Sequence, residues 1–232
     1  MTSNERKQKR LEWFTAQFPQ FLDAFARYCP FTKYGQLEFH VETIQRRREL
    51  GSAEAAVRDA TFQRKLYETL RAWGIGSRRS QLRPFADFID ALVSKEKEIA
   101  QLDGIAIDQT SLQLESVTQT LWNLIDSLAI VTNEAPLVAG SKALHHILPD
   151  LVVPIDRGYT QKLFGWGNPQ FQYHQERRFA EVFEFLAAAA RATNPGQYVG
   201  KKRWNTSATK VLDNAVVGAV CLMKHHLVNE NL

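Results

Sequence analysis

The sequence predicts an all-α protein. Apolar residues recur at three- and four-residue steps along most of the chain. No stretch alternates apolar and polar residues beside a hairpin turn. The one run that could be extended, DLVVPI, contains Pro154, which a central strand does not tolerate.

Residues 5–28 place Leu11, Phe14, Phe18, Phe21, Leu22 and Phe25 on one helical face. The stretch SAEAAVRDATFQRKLYETLRAWG opens on Ser52, a cap residue, closes on Gly74, and predicts a helix. The same periodicity predicts helices at about 80–101, 109–131, 175–193 and 206–228, the last rich in Ala and Val. With two shorter helices between 141 and 163, the chain should hold about eight to ten. GIGSRRS, GWGNPQF and NPGQYVGKKRW are the main breaks, and no internal repeat or low-complexity tract occurs.

A chain of 232 residues with 44% hydrophobic residues can bury a substantial core. Two distant cysteines, Cys29 and Cys221, build neither a disulfide framework nor a four-cysteine cluster, which points to a reducing compartment. The start, MTSNERKQKR, has no apolar core and does not read as a signal peptide. Apolar stretches such as FEFLAAAA are too short to span a bilayer, so no membrane partner is expected and the expected location is cytoplasmic.

The net charge of +4 leans basic, and its distribution is more telling than its sum. Basic residues cluster at 6–10, at 46–48, at 71–83 with Arg78 and Arg79, and at Lys201, Lys202 and Arg203, which Trp204 follows. Basic loops beside aromatics suit phosphate contacts with base stacking. A solvated face of a basic protein has the same composition.

The densest stretch is GSKALHHILPDLVVPIDRGYT, residues 140–160. Ser141 reads as an N-cap, so Lys142 would sit in the first turn of a helix that stops near Pro149. A cation there faces the positive end of the macrodipole, and a lysine without its proton is a nucleophile able to form a Schiff base. Asp156 would cap the next helix, through Leu163, with its carboxylate near any cation in the groove. Both residues also have a purely structural reading, as a helix-start residue and a cap joined by a weak ion pair.

The stretch resembles the helix-hairpin-helix DNA glycosylases, in particular their lysine-bearing bifunctional members. LVAGSK stands for the glycine-containing hairpin and the lysine after it, ALHHILPDLV for the following helix, and VPIDRGYT for the aspartate that opens the next one. Val138 replaces the hairpin's first glycine, the threonine usual after the lysine is Ala143, and the stretch from Lys142 to Asp156 is short for the family. The resemblance implies Lys142 as nucleophile and Asp156 as the carboxylate that stabilises an oxocarbenium-like sugar, with Gly140 and Ser141 near the DNA backbone. It also implies a two-lobed fold with a central hairpin and an active cleft between the lobes. One lobe would span 29–150, the other 1–28 plus 151–232, unless the chain forms one compact domain.

The implied activity is excision of a flipped base, oxidised purine or bulky modified phage base, with abasic-site lyase activity where an imine forms. Duplex DNA is then the partner, the chain a monomer, and neither cofactor nor metal is implied. Around the pair, His145, His146, Tyr159 and Trp166 are candidates for the substrate pocket, and Arg157 for a phosphate. Adjacent histidines point about 100° apart on a helix, which disfavours chelation by the doublets His145–His146 and His225–His226. Among Trp73, Trp122, Trp166 and Trp204, the last two are the better candidates for base stacking. Two other readings compete: a non-catalytic helical nucleic-acid-binding protein in defence or regulation, and a helical interaction protein without nucleic acid.

Overall fold

A computed structural model describes residues 3–76, 81–132 and 136–229. Arg78 and Arg79 lie outside the described residues, as do the side chains of His225 and His226. Thirteen α-helices and one 3-10 turn account for the described fold, and a single bridge between Leu82 and Val131 is its one β contact. No described helix is long and apolar enough to cross a membrane.

The chain begins with α1 (Ser3–Ala16) and α2 (Phe18–Tyr28). The expected single helix over 5–28 is two, because Pro19 in the first turn of α2 has no N–H to continue the ladder. The helix over 52–74 also divides, into α4 (Ala53–Arg58) and α5 (Ala60–Ala72), after α3 (Glu38–Glu49). Ser52 caps α4 as expected, accepting from Ala55 N at 3.1 Å. The break is Asp59, whose carboxylate caps α5 through Phe62 N at 2.7 Å and is gripped by Arg46 at 2.7 and 3.0 Å. Further on, α6 (Phe85–Ser94), α7 (Glu96–Ala100) and α8 (Leu114–Leu128) lead to α9 (Pro136–Ile147). The last third holds α10 (Arg157–Phe164), α11 (Asn168–Tyr173), α12 (Gln175–Thr193), the 3-10 turn Pro195–Tyr198 and α13 (Ala208–Asn229).

Two helices are buried nearly all round, α9 from Ala139 to Ile147 and α13 from Thr209 to Cys221. Such helices form the centre of a fold, with amphipathic neighbours wrapped on them. Around them, α2 packs on α13, α3 on α5, and α8 on both α9 and α12. The contact between α2 and α13 is backbone-close at Gly218, where a Cβ would overlap the Phe21 carbonyl oxygen. One hydrophobic cluster runs through the molecule and draws on residues from both expected lobes, from Phe14 and Phe18 to Leu66, Leu144 and Leu212.

The helix carrying Lys142 differs from expectation. It starts at Pro136, a residue suited to a first turn, so Gly140 and Ser141 are interior helical positions and Ser141 is no cap. Lys142 is the seventh residue of α9, and the first-turn argument falls with that. Gly140 makes no hairpin; a Cβ there would sit 2.9 Å from Ile125 Cγ2, so the glycine lets α8 approach α9. The connection between these helices begins at Ala129, in the left-handed region at φ 42°, well ahead of Gly140.

Candidate active site

Lys142 points from α9 into a cavity of about 40 Å³. Its Nζ donates to Asp156 Oδ2 at 3.4 Å and to the Trp73 carbonyl at 3.5 Å, and lies 5.7 Å from the Trp73 ring. Asp156 is where the sequence puts it, at the N-cap of α10, with Oδ1 accepting from Gly158 N at 3.0 Å. Each carboxylate oxygen therefore has its own task. Ser141 contributes indirectly: its hydroxyl accepts from Ile155 N at 3.1 Å and pins the segment before Asp156 onto α9.

A second ion pair faces the first. Lys210 Nζ, on α13, donates to Asp213 Oδ2 and Asn214 Oδ1, both at 2.6 Å. Its side chain is 1% exposed, and its ammonium is 4.8 Å from the Trp204 ring and 5.8 Å from those of Phe31 and Trp73. Burial pushes the Asp213 carboxyl up, and Lys210 opposes that shift. The cavity thus brings two ammoniums and two carboxylates together between aromatic walls. Phe31, Gln36, Trp73 and Lys142 come from the 29–150 segment, and Pro154, Asp156, Trp204, Lys210 and Asp213 from 151–232.

Several expected pocket residues sit elsewhere. His145 and His146 are fully buried behind the wall rather than in it, because both lie on the enclosed part of α9. Tyr159 backs the wall, its ring 6.0 Å from Phe31, and burial pushes its phenol up to about 12. Trp166 stacks on Phe164 at 4.5 Å beneath the Arg178 guanidinium, beside a groove on α1 and α12. It does not line the cavity, since Gly165 ends α10 in the left-handed region and turns the chain away.

The basic patches divide by environment. Lys201, Lys202 and Arg203 are exposed and flank a groove of about 300 Å³ that shares Trp204 with the cavity. Arg157 is exposed and donates to Asn168 Oδ1 at 2.9 Å. The 46–48 cluster is not a free surface: Arg46 holds Asp59, Arg47 is buried against the Ile147 carbonyl and Asp103, and Arg48 donates to the Thr206 carbonyl.

Lys210, Asp213, Phe31 and Gln36 were not singled out from the sequence. A signal for the first two was present: Lys210, Asp213 and Asn214 stand at i, i+3 and i+4 beside a stretch, residues 215–223, with no charged residue. A charged cluster in a helix buried all round must be matched by partners, and that is where function concentrates.

Fold and site together define a helical protein in which Lys142 of α9, Lys210 and Asp213 of α13 and Asp156 at the start of α10 face an aromatic-walled cavity. Comparison of the chain with protein-family models, curated proteins and solved structures finds no match.

Proposed function

We propose that the chain is a DNA glycosylase that excises a damaged or modified base, with Lys142 as nucleophile and Asp156 as the stabilising carboxylate. The observation that carries this reading is the contact of Lys142 Nζ with Asp156 Oδ2 at 3.4 Å inside a cavity walled by Phe31, Trp73 and Trp204. A lysine held beside a carboxylate has a nearby base for its proton, and the rings offer faces for a flipped heterocycle. The exposed Lys201–Arg203 loop, sharing Trp204 with the cavity, suits the phosphates around the flipped nucleotide. Entry of a base requires this wall to open, since about 40 Å³ holds ordered water and not a planar base.

In this mechanism Asp156 offsets the positive charge that develops on the sugar as the C1′–N bond breaks. The bond's electron pair leaves with the base, which takes up a proton. Once Lys142 has given up its ammonium proton to water, the amine bonds to C1′, passes one of its two N–H protons to water, and displaces O4′, which takes up a proton, to give a protonated imine. Loss of a C2′ proton then expels the 3′ phosphate.

The test is borohydride trapping with duplexes carrying oxidised purines, bulky modified pyrimidines or an abasic site. A covalent adduct is expected with the native chain and none with Lys142→Ala. Asp156→Asn should lower base release by about a hundredfold or more while keeping the α10 cap, because asparagine caps as well as aspartate. The small size of the cavity favours a second reading, a non-catalytic DNA-binding protein. Steeply salt-dependent duplex binding that Lys142→Ala leaves intact, with no base released from any duplex, would decide for it.

A further inference from the structure

Behind the cavity, His40 of α3 and His145 and His146 of α9 converge, all three fully buried. One ring nitrogen from each lies within 4.8 Å of the others. Their hydrogen bonds determine which nitrogens are available. His146 Nδ1 donates to the Lys142 carbonyl at 2.7 Å and His145 Nδ1 to the Val152 carbonyl at 2.9 Å, and a carbonyl can only accept. Both rings therefore keep a lone pair on Nε2. That of His146 accepts from His40 Nδ1 at 2.9 Å. That of His145 is buried without a hydrogen-bond partner. His40 Nε2, on the other side of its ring, meets the Thr206 hydroxyl at 2.7 Å.

We infer that His40, His145 and His146 form a binding site for one first-row divalent transition ion, such as Zn²⁺. Three imidazole nitrogens are the donor set this class of ion takes, with the fourth position left to water or a small ligand. Two of the three donor atoms already carry lone pairs, that of His145 free and that of His146 engaged by His40 Nδ1. The third, His40 Nδ1, is released when its proton moves to Nε2, where it is donated to Thr206 Oγ1, with no net proton gained or lost. Every ring then gives its outer N–H to an oxygen: the Lys142 carbonyl, the Val152 carbonyl and the Thr206 hydroxyl. Metal-bound histidines are oriented by such outer partners.

The geometry requires adjustment in both senses: donor nitrogens as far as 4.8 Å apart must draw in, and the 2.9 Å pair must open. Nitrogens about 2.0–2.1 Å from a tetrahedral ion stand about 3.3 Å apart, so the 2.9 Å pair must open by a few tenths of an ångström. Lys142, Lys210 and Arg48 oppose a dication here, but Asp156 and Asp213 pair with the two lysines. The adjacent histidines do diverge, their planes at 76°, and it is His40, supplied by another helix, that closes the set. His40 packs 5.1 Å from Trp73 and stacks 5.8 Å from Trp204, so a bound ion would brace the wall of the cavity from behind.

This inference does not rest on the glycosylase reading, and Lys142→Ala should retain the ion. The test strips the full chain with chelator, restores Zn²⁺ or Co²⁺, and measures stoichiometry by elemental analysis and the ligand-field absorption of Co²⁺. One equivalent per chain with a nitrogen-ligated tetrahedral Co²⁺ spectrum is expected. It should be lost in His145→Gln and kept in the His225→Gln/His226→Gln double variant. Thr206→Val leaves all three rings in place and should weaken binding about tenfold or more through His40. The inference is overturned if the native chain retains no stoichiometric ion, if Thr206→Val and His145→Gln bind as tightly as the native chain, or if retention follows His225 and His226.

Discussion

Lys210 shows what a buried charge requires of its surroundings. Its ammonium meets one carboxylate, one amide oxygen and several ring faces, and its side chain is 1% exposed. Removing it strands Asp213 and Asn214, so Lys210→Ala should cost about 3–5 kcal/mol in urea denaturation. Lys210→Met with Asp213→Leu should cost less than the single change, because no unpaired carboxylate remains. The first pair was legible in the sequence and the second was not. Asp156 follows Pro154 and opens a helix, a local pattern, whereas an i, i+3 lysine–aspartate pair reads as a solvated ion pair until its helix is known to be central.

At the scale of elements, α9 and α13 meet their neighbours through glycines, and the two contacts should respond differently to substitution. At Gly140 a Cβ would press on Ile125 at 2.9 and 3.2 Å. The clash costs about 1–3 kcal/mol and the gain in helix propensity returns up to about 1 kcal/mol, so Gly140→Ala should be mildly destabilising. At Gly218 the obstacle is the α2 backbone, which cannot rotate away, and Gly218→Ala should cost at least about 3 kcal/mol and lower the melting temperature accordingly. Helix starts set by capping were legible at Ser52 and Asp156, and the span Gln175–Thr193 stands where its periodicity and the break after it put it. Gly140 and Ser141 misled, because a glycine that permits close helix packing looks the same in sequence as one that ends a helix.

Across the whole molecule, the three interior histidines set the response to acid. Burial holds His40 and His145 well below the usual imidazole value and His146 down to about 4. Below pH 6.5 the unfolded chain takes up protons that these rings refuse. Stability of the metal-free chain should therefore be full above pH 6.5 and fall as pH drops toward about 4, by about 3 kcal/mol for His146. Asp213 works in the opposite sense, its raised carboxyl favouring the folded state at lower pH, but it is one group against three. Urea midpoints measured from pH 7.5 to 4.5 should fall steadily, and a flat profile would contradict neutral burial of the rings. No local pattern in the sequence joins His40 to the doublet on α9; that juxtaposition belongs to the packing of α3 on α9.

The backbone contact between Phe21 and Gly218 also has a consequence for synthesis. When α2 leaves the ribosome, the helix that will cover it is still 180 residues from being made, counting from Tyr28 to Ala208. At about 5–20 residues per second, that gap lasts roughly 10–40 s. Throughout it, Phe18, Phe21 and Phe25 lack the cover that α13 gives them in the finished fold. The nascent chain thus carries an aromatic face without its native partner until α13 emerges. Interruption shortly before residue 208 would leave that face open, along with a cavity lacking Lys210 and Asp213.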